Sequence, residues 1–101
     1  MMMNNISSLA NSLETTFGLS TKMEYDYKTH TTTMWVYVDE FHEKYITSAD
    51  AGLILDMVTK AFLMGSVAEH RYAGATYEVD ISAMKVVEHI DRNAEGYGEW
   101  L

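Results

Sequence analysis

The feature that most constrains this fold is a change of period. Ile6, Leu9, Leu13 and Phe17 recur every three or four positions, the repeat of one helix face. From Lys22 to Lys28 the repeat drops to two: Met23, Tyr25 and Tyr27 point one way, and Lys22, Glu24, Asp26 and Lys28 the other. Thr31 to Val38 repeats the alternation, with Met34, Val36 and Val38 against Thr33, Trp35 and Tyr37. A chain that switches between these periods must lay helices on a sheet.

The first helix spans Asn5 to Phe17, capped by Asn4 or Asn5 and closed by Gly18 in the left-handed position after its end. The two strands form a hairpin, because their apolar sets agree in phase. A tight turn at Thr29-His30 sets Tyr25 opposite Met34 and Glu24 opposite Trp35. The pair lacks the Asn-Gly chemistry of a favoured two-residue loop, so a four- or five-residue loop is the alternative. Asp39 to Ile46 is ambiguous between a helical turn and a brief strand.

The second helix, 49–65, follows a capping sequence, Thr47-Ser48-Ala49-Asp50. Leu53, Ile54, Leu55, Met57, Val58, Ala61, Phe62, Leu63 and Met64 cover most of its circumference, with Asp56 and Lys60 paired across one turn. Such a helix is expected to be buried on more than one side, by the sheet and by the first helix or a second subunit. On this reading Val58→Asp and Phe62→Asp both unfold or dissociate the protein. Thr76 to Ala83 alternates again, placing Tyr77, Val79 and Ile81 inward and Glu78 and Asp80 outward. Met84 to Arg92 fits a short helix or a continuing strand, and we prefer the helix. The expected fold is therefore α+β: a small antiparallel sheet with helices on one face, in the order α-β-β-α-β with a closing helix. Residues 1–92 form one domain and 93–101 a flexible or docking tail.

Composition narrows the function. The 101 residues suit one core, and nearly half of them are hydrophobic. The absence of cysteine excludes disulfides, thiolate metal sites and a cysteine nucleophile, and suits a cytoplasmic location. The N-terminus has no basic start followed by an apolar run, so no secretory signal is expected, and no stretch is long enough to span a bilayer. A net charge of −8, with the bases scattered singly, disfavours direct binding of nucleic acid or anionic lipid. It favours a protein partner with a basic surface, or serves solubility alone.

No catalytic motif is present. His42-Glu43 lacks the second histidine of a zinc-binding helix, and Glu69-His70 and Glu88-His89 give no local ligand set, so no metal or other cofactor is expected. A site assembled through the fold from His42, His70 and His89 is the alternative. No nucleophile elbow or phosphate loop occurs, and no acid pair stands out among the fifteen acids, so no catalytic residue is named. Tyr25, Tyr27 and Tyr77 read as core, whereas Trp35 and Tyr37 lie on the face away from the helices. That outer face gathers the candidate partner-binding residues Glu24, Asp26, Trp35, Tyr37, Glu78 and Asp80, charges for steering and aromatics for anchoring. Trp100 in the tail is a candidate cover for them.

The leading expectation is a small acidic, non-catalytic binding protein that engages a basic site on a macromolecule. Short acidic, cysteine-free α+β chains of this kind resemble virus-encoded inhibitors of host nucleic-acid enzymes, the anti-restriction and anti-CRISPR proteins. The resemblance lies in size and charge and rests on no motif. It implies a protein target, not a nucleic acid. The alternatives are a homo-oligomeric assembly protein joined through the 49–65 helix and a small metal-dependent enzyme.

Overall fold

The structure is a computed structural model, which describes residues 5–38, 46–64 and 73–99, without the side chains of Asn5 and Met64. Helix α1 (Asn5–Phe17) leads into the hairpin β1 (Leu19–Asp26) and β2 (Thr31–Val38). Helix α2 (Ser48–Thr59) follows, extended by a π-helical turn over Lys60–Met64, and then a second hairpin, β3 (Ala75–Asp80) and β4 (Lys85–Ile90). The four strands form one antiparallel sheet in the order β1-β2-β4-β3. The fold is α+β, as the alternation of periods predicts.

The local signals act where the sequence places them. Ile6, Leu9 and Leu13 of α1 are fully buried and Phe17 is half-buried, while Gly18 takes a φ of 69° that ends the helix. Thr47 caps α2: its hydroxyl oxygen accepts the Asp50 N–H at 3.1 Å, and its hydroxyl donates to Asp50 Oδ2 at 2.7 Å. Lys60 Nζ meets Asp56 Oδ2 at 2.9 Å. Both helices pack on one side of the sheet. There Leu19, Met34, Val36 and Val86 join Ile6, Leu9, Leu13, Ala51, Leu55, Val58 and Leu63 in a single core.

Four expectations are corrected. Residues 85–90 form a strand, not a helix. Opposite β2, Val86 and Glu88 point inward and Val87 and His89 outward, and pairing with strands on both sides satisfies the backbone groups that a helix would have satisfied internally. The first hairpin closes through four residues, Tyr27 to His30, which is the longer loop given as the alternative and not the tight turn at Thr29-His30, so Met23, not Tyr25, opposes Met34. A shift of two residues keeps the faces, which is why the predicted inner and outer sets survive. Strand β3 ends at Asp80, and Ile81 sits exposed in the turn.

The fourth correction concerns the aromatics and α2. Tyr25 and Tyr27 are exposed, Tyr27 at 80%, because the hairpin runs past the helices: along the inner face of β1 burial fades from Leu19 through Thr21 to Met23 and Tyr25. The molecule measures 46 × 29 × 27 Å. Helix α2 buries Ala51, Gly52, Leu55, Val58 and Thr59 but leaves Leu53 and Met57 exposed, and Phe62 in the π-helical turn beyond it is exposed as well. Phe62→Asp is therefore not expected to unfold the protein, whereas Val58→Asp is. Residues 93–99 fold back on Ala73, whose N–H donates to Glu99 O at 2.7 Å and whose carbonyl accepts from Gly98 N at 3.4 Å. The ambiguous segment 39–45, His42, His70 and Trp100 lie outside the described residues.

Candidate functional site

The sheet brings all six candidate residues to its outer face, and register fixes their neighbours. One row across the sheet reads Lys22, Trp35, Lys85, Asp80; the next reads Glu24, Thr33, Val87, Glu78; the third reads Asp26, Thr31, His89, Thr76. Tyr37 opposes Ser20 one row beyond Trp35, past the start of β4. Glu24 and Asp26 thus line one edge strand and Glu78 and Asp80 the other. Three strand spacings, roughly 14 Å, separate the edges, with the aromatics on the strand between.

The face is open. Lys22, Glu24, Asp26, Tyr37, Thr76, Glu78 and His89 are exposed, and Thr33, Trp35, Lys85 and Val87 are half-buried. Tyr37 is 51% exposed and borders a cleft of about 700 Å³ lined by Val36, Val38, Ile46, Thr47, Ser48 and Met84. Trp35 lies between two lysines, Lys22 and Lys85, so negative charge gathers at the edges and not around the indole. Only the strand form of 85–90 brings Lys85 beside Trp35; a helix there would not.

Two of the four acids have structural duties. Asp26 Oδ1 accepts the Lys28 N–H at 2.9 Å and shapes the first turn. Asp80 Oδ1 accepts the Ser82 hydroxyl at 2.7 Å and the Ala83 N–H at 3.0 Å in the second turn. Those bonds, the Ser82 hydroxyl foremost, hold the Asp80 carboxyl below its ordinary range. Glu24 and Glu78 have no such partner among the described residues, which leaves them as the two of the four acids whose charge no described residue engages.

Sequence reasoning missed a second exposed group. Met23, Tyr25 and Tyr27 stand on the inner side of the first hairpin beyond the helix layer, with the two tyrosine rings edge to face at 4.8 Å. The Tyr25 hydroxyl reaches His30 Nδ1 at 3.3 Å. The signal that could have found them is length: a hairpin of two eight-residue strands is longer than the one apolar helix stripe that covers its base.

The histidine sites divide by strand parity. Glu88 points into the core and His89 out of it, so these neighbours cannot ligate one ion together. Among the described residues no group of three or more His, Asp or Glu side chains is placed to hold a metal. Among them, too, no helix is long and apolar enough to cross a membrane.

Comparison with models of known protein families, with curated proteins and with solved structures finds no match for this chain.

Proposed function

We propose that this protein is a small non-catalytic binding module that docks on a basic site of a protein partner through the outer face of its sheet. The observation that carries the reading is the open face itself: Trp35 and Tyr37 stand between two edge strands that bear Glu24 and Glu78, acids with no side-chain bond among the described residues. Edge charges steer a basic partner, and the aromatics between them supply apolar anchors once it arrives. The narrower form of the reading is a virus-encoded inhibitor that occupies the nucleic-acid site of a host enzyme, where a basic surface is exposed.

The test begins with capture of the partner from lysate at low and at high salt and continues with purified proteins. Glu24→Lys with Glu78→Lys should slow association about tenfold and flatten its salt dependence. Trp35→Ala should leave the association rate nearly unchanged and speed dissociation about thirtyfold, the loss of one interface anchor. Asp26 and Asp80 are left intact, because reversing them would break turns. A partner that binds all these variants normally removes the outer face from consideration.

A second reading has its own observation, the exposed Met23, Tyr25 and Tyr27 beyond the helix layer. A hairpin that projects this way can insert its inner side into a partner's cleft. Tyr25→Ser with Tyr27→Ser separates the two: loss of binding in this variant, with the outer-face variants unaffected, assigns the site to the hairpin tip.

A further inference from the structure

The exposed side of α2 has a symmetry that its burial pattern brings out. Leu55 is fully buried, so the direction opposite its side chain points straight out of the molecule. Leu53 and Met57 lie two residues to either side of Leu55, Asp50 and Lys60 five to either side, and Ala49 and Ala61 six to either side. All six are exposed, Leu53 at 64% and Met57 at 67%. The α-helical repeat of 3.6 residues per turn carries as far as Lys60, whose φ of −61° and ψ of −41° are still α-helical and whose N–H bonds to Asp56 O. Leu53 and Met57, and Asp50 and Lys60, therefore sit equally far round on opposite sides of the outward direction. Ala49 and Ala61 flank them, Ala61 where the turn begins to widen. The exposed face is thus self-complementary about Leu55: apolar with apolar, acid with base, small with small.

We infer that this face binds a second copy of the same chain, with the two α2 helices antiparallel across a two-fold axis opposite Leu55. In that arrangement Leu53 of one copy meets Met57 of the other twice over, Asp50 meets Lys60 twice, and Ala49 faces Ala61, where small side chains let the helices close up. The charges are free to take part. Asp50 uses Oδ2 for the Thr47 hydroxyl, and Lys60, bound to Asp56, has an ammonium with further donors. Apolar area continues on both flanks. A groove of about 360 Å³ beside α1 is lined by Phe17, Met57 and Phe62, and one of about 340 Å³ beside the second turn by Leu53, Ile81 and Met84. A helix pair of this length buries less than the roughly 800 Å² per partner of a standard interface, so the dimer should be a reversible one. The surface lies on the helix side of the molecule, away from the outer sheet face, and stands or falls independently of the function proposed above.

Sedimentation equilibrium on the full chain tests the inference. The wild type should pass from monomer to dimer as concentration rises, and Leu53→Asp and, separately, Met57→Glu should remain monomeric. Asp50→Lys and Lys60→Asp should each weaken self-association at least about tenfold, because each sets like charges together twice. Mixing those two variants should restore dimerisation, since in the mixed pair both lysines of the first variant face aspartates of the second. Circular dichroism confirms that the variants, all at exposed positions, are folded. A wild type that stays monomeric at millimolar concentration overturns the inference. So does a dimer indifferent to Leu53→Asp and Met57→Glu, or a mixture that associates no better than its components.

Discussion

Glu88 shows what burial does to one residue. It is 4% exposed, on the inner face of β4, with Tyr77 directly opposite on β3. Burial raises its carboxyl above the ordinary range, and the neighbouring Tyr77 offsets part of the rise. The folded state therefore holds the proton more tightly than the unfolded chain does. Stability from this group is fully present below the unfolded carboxyl value of about 4.3 and is lost as pH rises through the folded value. Glu88→Gln, which cannot ionise, should melt above the wild type at pH 7, with the difference closing below about pH 4. Thermal melts across that range check this, and a variant that melts lower at pH 7 would give the ionised carboxylate a stabilising partner. The sequence showed Glu88 beside His89 and invited a metal site. Only the strand, which turns the two to opposite faces, separates them.

At the scale of the element, the two hairpins use the same turn. In each, the first strand ends in aspartate, four residues follow, and the last of them takes a positive φ: Asp26 with His30 at 50°, and Asp80 with Met84 at 52°. In each, the aspartate accepts a backbone N–H within the turn. The repetition was hidden in the sequence because neither turn contains glycine, the usual mark of a left-handed position. Histidine tolerates that region and a β-branched residue does not. His30→Val should cost about 1–2 kcal/mol in urea denaturation, and His30→Asn should cost far less. Equal losses in both would trace the cost to the His30 contact with Tyr25 and not to the backbone. The caps and stripes of α1 and α2, by contrast, were legible, because each depends on residues within one or two turns of one another.

For the whole molecule, the decisive facts are where the layers end and how the chain closes. Residues 93–99 return to Ala73, next to Gly74. Gly74 has a φ of 94°, and a Cβ there would lie 2.7 Å from Asp91 O. Glycine alone fits, since any side chain would break the junction that holds the tail to β3. Gly74→Ala and a chain ending at Arg92 should therefore both lower the melting temperature, the first by strain and the second by lost tail contacts. An unchanged melt in the shortened chain would make residues 93–101 dispensable to the fold. The same scale decides the surfaces: one helix layer covers one side and one end of the sheet, leaving the outer face and the first hairpin's tip open.

What the sequence determined by itself is local and periodic. It includes the α+β class, the spans of α1 and β2, the cap of α2 and the side of the sheet on which Glu24, Asp26, Trp35, Tyr37, Glu78 and Asp80 lie. These follow from alternation and short-range hydrogen bonding, which neighbouring residues settle among themselves. The tertiary structure alone decided that 85–90 is a strand, because that stretch fits both periods and its backbone is satisfied by β2 and β3. It alone placed Lys85 beside Trp35, buried Glu88 and left Tyr25, Leu53 and Met57 in water. An apolar residue is buried only where another element reaches it, and reach is a property of lengths and packing that no periodicity records.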